Sequence, residues 1–238
     1  MTTIQVANQT LTAEEIIPLL SDYQMLAKLR RELLIDRAIE SINCTSAEED
    51  QVVQQFYRQN GLAKDLDDDS LLKKHCMTSE QIKTSAIRRF KIEKFKQVTW
   101  GDKLGPYFIR RKKQLDRVVF SLIRTQKLDL AQELYFRLQA KEQSFADLAQ
   151  KYSQGPESLI GGFVGPIELG NLPSALAELL STSQSDRVYP ISLGEWQMIV
   201  RLEKVIPAQL DRLMYQKLLD ELFELWLSKQ LNQASVGC

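Results

Sequence analysis

Side chains suited to polar chemistry are scarce in this 238-residue chain. Its one histidine is His75, next to Cys76, while Cys44 and Cys238 lie far away and no C-x-x-C pair occurs. Structural zinc takes four Cys or His ligands and catalytic zinc three, so a single His-Cys neighbour pair is not a metal site. Scattered thiols in odd number are expected to be buried or idle rather than redox-active. A Ser or Cys nucleophile needs a histidine or another base beside it. With one histidine and no G-x-S-x-G motif, hydrolase chemistry has no support. The acidic run DLDDDS at 65–70 lacks the glycine and the distal glutamate of a calcium loop and reads as a solvated turn.

Glycine is what clusters. Five of the ten glycines fall within YSQGPESLIGGFVGPIELG at 152–170. A phosphate-cradling loop leads from a strand into a helix and carries a lysine. This cluster follows a helical pattern and no lysine follows its glycines, so neither a nucleotide nor any other cofactor is expected, and no metal.

Thirty-one basic and thirty-one acidic residues cancel. Nucleic acid therefore has no global electrostatic attraction to the chain, and none is expected as a partner. The N-terminus has no secretory pattern, and no apolar run reaches the roughly 18 residues needed to span a bilayer. The expected location is the cytoplasm.

The elements that must position any site follow from periodicity. The first hundred residues read as helices. Thr12 with Glu15 forms a capping-box pattern opening a helix over 12–27. Apolar spacing continues through Leu26, Leu29, Leu33, Leu34 and Ala38. Ser46 opens a helix stopped by Gly61, and Thr78 or Ser79 opens another. That last helix is basic, through Lys83, Arg88, Arg89, Lys91, Lys94 and Lys96. It is expected to present a solvated face, with contact to an acidic partner or membrane surface as the sharper alternative. A connection GDKLGPYF and a second basic patch, 109–114, follow.

At Leu115 the texture changes. RVVFSLIRT (117–125) is a β-branched strand. Two helices follow, the second capped by Ser144, then the glycine stretch, a helix with Pro173 near its first turn, and strands RVYPISL and WQMIVRLEKV. This order predicts an α+β domain around a small sheet. Pro207 opens a last helix whose stripe of Met214, Leu218, Leu222, Leu225 and Trp226 must bury, with the N-terminal helices as its partner. The expected organisation is a helical domain at 1–114, an α+β domain at 115–206, and a C-terminal helix at 207–238 that packs back to complete the all-α domain.

From Asp116 to Val205, SFADLAQKYSQGP followed by GGFVGP and the closing IVRLEKV resembles the parvulin family of peptidyl-prolyl isomerases. The flanking helices resemble the chaperone segments of SurA- and PrsA-type folding factors, and the wording YFIRRKKQLDRVVFSLIRT resembles a cyanobacterial branch. The resemblance implies a parvulin-like fold, isomerisation of X-Pro bonds, and a polypeptide substrate or client protein as partner.

Residue by residue, the family's site does not carry over. The first-strand histidine falls on Phe120, the Asp or Cys after the YS pair on Gly155, and the last-strand histidine on Met198 or Gln197. The position after the double glycine is Phe163. The apolar proline pocket falls on Leu172, Leu176 and Leu180, with Leu122 beside Phe120. The expectation is a degenerate site: an open apolar groove bounded by Phe120 and Leu176, lacking its polar half. X-Pro rotation breaks no covalent bond, and its barrier of ~18–20 kcal/mol comes from amide resonance, so a dry apolar cleft retains some leverage. The alternative is a non-catalytic chaperone or peptide-binding adaptor, such as a secretion accessory, using the same groove. Alternation puts Phe120 and Leu122 on one face and Ser121 and Ile123 on the other, and leaves open which face is free.

Overall fold

The computed structural model describes residues 3–6, 9–59 and 78–235. His75, Cys76, Cys238, the Gly61 helix stop and the acidic turn at 65–70 lie outside them. The chain divides into two compact units: Gly105–Met214, and the segments on either side of it, Met1–Leu104 with Tyr215–Cys238.

The flanking unit is not wholly helical. Strands β1 (Thr3–Val6) and β2 (Gln9–Thr12) form an antiparallel hairpin with Thr3 opposite Thr12. Helix α1 (Ala13–Asp22) starts where expected: the Thr12 N–H donates to the Glu15 carboxylate at 2.8 Å. It ends earlier than position 27, because Gln24 sits at φ 57, in the left-handed region that breaks a helix. Helix α2 (Leu26–Ile39) is therefore separate. Helix α3 (Ser46–Gln59) begins after Thr45, whose N–H donates to Glu48. Helix α4 (Ser79–Trp100) carries a capping box between Thr78 and Gln81.

Helix α9 (Arg212–Ser235) begins later than Pro207, since Asp211 accepts the Met214 N–H at 2.8 Å and caps it there. Its inner stripe is rotated from the expected one. Leu218, Leu219, Phe223 and Leu227 are buried, whereas Leu225 is exposed. Phe223 and Leu227 pack with Ile35 of α2, and Ile92, Phe95, Trp100 and Trp226 close round them. Each buried side chain of this size contributes about 1.5–3 kcal/mol, which is what holds the C-terminal helix to N-terminal ones. Phe95 meets Trp100 edge-on at 5.6 Å, and Phe223 stacks on Trp226 at 5.8 Å.

The basic face of α4 is partly consumed inside this unit. Arg88 pairs with Glu32 and Asp36, and Lys94 with Glu48. Lys96 is buried and pairs with Glu93 and Asp220. Burial works against its charge, but the hydrogen bonds it donates to Asp220 and Glu93 outweigh that and raise its pKa. A fully solvated basic face is thus not what forms. No described helix is long and apolar enough to cross a membrane.

GDKLGPYF is not a loose connection. A 3₁₀ turn, Gly101–Lys103, runs into helix α5 (Leu104–Leu115). Pro106 is tolerated there because it stands in the first turn, where backbone N–H groups have no intrahelical partner.

The Gly105–Met214 unit holds β3 (Arg117–Thr125), α6 (Leu128–Gln139), α7 (Phe145–Tyr152), β4 (Phe163–Glu168), α8 (Ser174–Thr182), β5 (Val188–Leu193) and β6 (Trp196–Ile206). The four strands form one antiparallel sheet in the order β4-β3-β6-β5. Strand β4 is an addition to the expected count, its pattern hidden by Gly165 and Pro166. Ser144 caps α7, accepting the Asp147 N–H at 3.1 Å. One face of the sheet packs Phe120, Leu122, Val200 and Leu202 against Leu176 and Leu180 of α8. The other packs Ile123 and Ile199 against Leu134 of α6 and Phe145 and Leu148 of α7. The architecture is therefore α+β, a small antiparallel sheet covered by helices on both faces.

Candidate functional site

At the centre of the sheet β3 and β6 set Phe120 opposite Leu202, Leu122 opposite Val200 and Arg124 opposite Met198. The glycine cluster closes against this ladder. Gly162 has φ +83, and a Cβ there would stand 2.8 Å from the Leu122 carbonyl oxygen. The Leu122 N–H donates to the Gly162 carbonyl at 2.8 Å. Gly165, at φ +115, leaves no room either: a Cβ would stand 2.6 Å from the Val118 carbonyl oxygen. The glycines are there so that one backbone can lie on another. They seat the loop and β4 on β3.

Gly155 has a different reason. A Cβ there would fall 2.0 Å from Arg124 Nε. The Arg124 guanidinium donates from Nε and NH2 to the Glu157 carboxylate at 3.0 and 2.8 Å. Ser153 Oγ donates to the same carboxylate at 2.7 Å and accepts the Arg124 N–H at 3.0 Å. Glu157 is only 5% exposed, and the Trp196 ring lies 5.6 Å from the guanidinium carbon. A buried carboxylate needs such a set, since an unpaired charge away from water is costly. The space beside Gly155, where the family resemblance places an acid or thiol, is thus taken by an arginine already paired.

The eight side chains singled out as substrate-binding separate into four groups. Phe120, Leu122, Leu176 and Leu180 come together, but as core: none is more than 7% exposed. The groove expected between Phe120 and Leu176 is filled. With no polar atom among these four to hold water, direct contact is the lower-energy arrangement. Leu172 and Met198 are half-buried and pack on this cluster with Ile191 and Leu193 as its rim. Phe163 stands apart at the start of β4, half exposed. Gln197 accepts a hydrogen bond from Ser192 Oγ at 2.5 Å. Gln197 and Met198 also border an open groove of ≈ 470 Å³ between α6 and β5.

Arg124, Ser153, Glu157 and Trp196 escaped the sequence reading. The available signal was Arg124 itself, a charge ending an otherwise apolar strand, with Glu157 the nearest acid after the YS pair. The Tyr152 phenol, at the end of α7, is drawn below its ordinary range by hydrogen bonds first from Lys151 and then from Arg137. Among the described residues no cluster of His, Cys, Asp and Glu could hold a metal ion.

Residues 121–200 match the family model described as rotamase, PPIC-type PPIase domain. No curated protein matches the chain. Among solved structures, the chain is similar to the peptidylprolyl isomerase PrsA of Bacillus anthracis at 16% identity and a TM-score of 0.47, over 90% of this chain and 95% of that one. The parvulin domain of PpiD from E. coli is 25% identical over 42% of this chain and 97% of its own, with a TM-score of 0.35. A SurA-like chaperone of Campylobacter jejuni is 15% identical over 99% of this chain and 96% of its own, with a TM-score of 0.38.

Proposed function

We propose that the parvulin-like domain binds proline-containing or unfolded polypeptide, and that it eases X-Pro rotation through apolar contact alone. The match of residues 121–200 to a rotamase domain carries this reading. The half-buried rim of Leu172, Ile191, Leu193 and Met198 around the α8-side cluster is the surface suited to a proline ring. Only interactions stronger with the twisted amide than with the planar one speed the reaction. The twisted amide has lost its charge-separated resonance, so an apolar surface favours it relative to water. About 1.4 kcal/mol of such preference gives a tenfold rate. Phe120, Gly155, Gln197 and Met198 supply no titratable group at the positions where the family has them, so this reading predicts a rate without a pH optimum.

A second reading, a non-catalytic chaperone or adaptor, is favoured by one observation: the Arg124–Glu157 pair fills the space beside Gly155. Isomerisation of a labelled Ala-Xaa-Pro-Phe peptide, followed by exchange NMR, separates the two. Acceleration over the uncatalysed rate that falls at least threefold in Met198→Ala and Leu172→Ala supports the isomerase. A rate equal to the control, with aggregation of an unfolded client suppressed, leaves the chaperone.

A further inference from the structure

The groove between α6 and β5 meets the α8-side rim just discussed at Ile191 and Met198, which border both, and extends from them towards α6. Its walls include Leu128, Tyr135 and Phe136 of α6 and Pro190 of β5. Leu128 and Phe136 are 54% and 63% exposed, an unusual cost for apolar side chains on one rim. Its volume, ≈ 470 Å³, is within the ~300–1,000 Å³ of built ligand sites.

Two properties define what fits. First, none of its lining residues is charged, although 26% of the chain is. A charged group entering would lose hydration and meet no counter-charge. The polar groups present are the neutral side chains of Gln132, Ser192 and Gln197, and Ser192 already bonds Gln197. Second, β5 is the edge of the sheet, and among the described residues no strand pairs with its outer side. An edge backbone offers hydrogen bonds to an extended segment alongside it. Pro190, in the middle of β5, has no N–H to give, which opposes a long continuous ladder such as a second copy of this sheet would make. A short segment held by side chains and one or two main-chain bonds meets both conditions.

We propose that the α6–β5 groove is a second polypeptide site, selective for a short, extended, uncharged apolar segment. The proposal rests on reading the domain as polypeptide-binding and adds a site on the α6 side that shares only Ile191 and Met198 with the α8-side rim.

Fluorescence anisotropy of the full chain with three fluorescein-labelled eight-residue peptides tests it. The first contains alanine, valine and phenylalanine only; the second has a central proline; the third replaces two apolar residues with lysine. The neutral peptides are expected to lose at least tenfold in affinity with Phe136→Lys and with Gln132→Glu, both exposed positions that leave the fold intact by circular dichroism. Phe163→Lys, on β4 at the opposite edge of the sheet, is expected to change nothing, and the lysine peptide to bind wild type at least tenfold more weakly. Binding that survives both groove variants, or that falls with Phe163→Lys instead, overturns the second site while the polypeptide-binding reading stands. Absence of binding by any peptide to wild type overturns both.

Discussion

The two faces of the four-stranded sheet end in opposite conditions. On the α8 side, Phe120, Leu122, Leu176 and Leu180 close on one another and leave no open space between them. On the α6 side, the core of Ile123, Leu134 and Ile199 is just as well buried and reaches the edge strand at Val188, yet a groove stays open between α6 and the rest of that strand. The face where the family resemblance places a reactive site has become packing. The face with no assigned role keeps apolar side chains in water. Apolar composition alone does not make a binding surface: aliphatic side chains that can reach one another will close, and only a gap in the covering layer keeps them open.

Four substitutions probe this contrast. The largest effect is expected from Phe120→Ala, which empties a closed site and should cost about 3–5 kcal/mol, read from urea denaturation of the full chain. Phe136→Ala on the open side should stay within about 0.5 kcal/mol of wild type; equal losses would mean the two faces are packed alike. Next is Glu157→Gln. It removes the charge that Arg124 donates to, and the quarter-exposed arginine recovers part of the loss through water, so roughly 1–3 kcal/mol is expected. The expected loss shrinks in an Arg124→Met background, and an undiminished loss there would mean Glu157 is held by something other than Arg124. The smallest loss expected among the packed positions is for Gly162→Ala, about 1–2 kcal/mol, from a left-handed backbone and a crowded Cβ against Leu122. A neutral result would show that β4 and its loop are not seated by glycine.

What could be read from the sequence, and what could not, divides along the range of the forces. Thr12 with Glu15, the pair Thr78-Ser79, and Ser144 declared three helix starts because a cap is a contact within four residues. The α+β order followed from runs long enough to show their period. The β1–β2 hairpin was missed because four residues per strand barely show alternation beside a strong helical signal. FVGPIE was missed as a strand because glycine and proline usually break one, yet here Gly165 is what lets β4 approach β3. The face of α9 was misjudged by a fraction of a turn: Leu225 and Phe223 are equally apolar, and only the position of α2 and α4 decides between them. In the site, the missing histidines were legible at once. That Arg124 would occupy the room beside Gly155 was not, because it needs the distance between a strand end and a turn some thirty residues later.

Arg31 and Glu224 form an ion pair across 193 residues of sequence, and Lys96 and Asp220 one across 124. A ribosome releases the chain in order, so α2 and α4 emerge long before α9. The 110 residues of Gly105–Met214 (214 − 105 + 1) come between them. At ~5–20 residues per second that is a wait of roughly 5–20 s. Throughout it the inner faces of Ile35, Ile92 and Phe95 lack Phe223 and Leu227, and at its end the continuous central unit has all its strands. A chain whose emerged part ends at Met214 should therefore carry a complete sheet and an incomplete helical unit, with Ile35, Ile92 and Phe95 still short of their C-terminal partners.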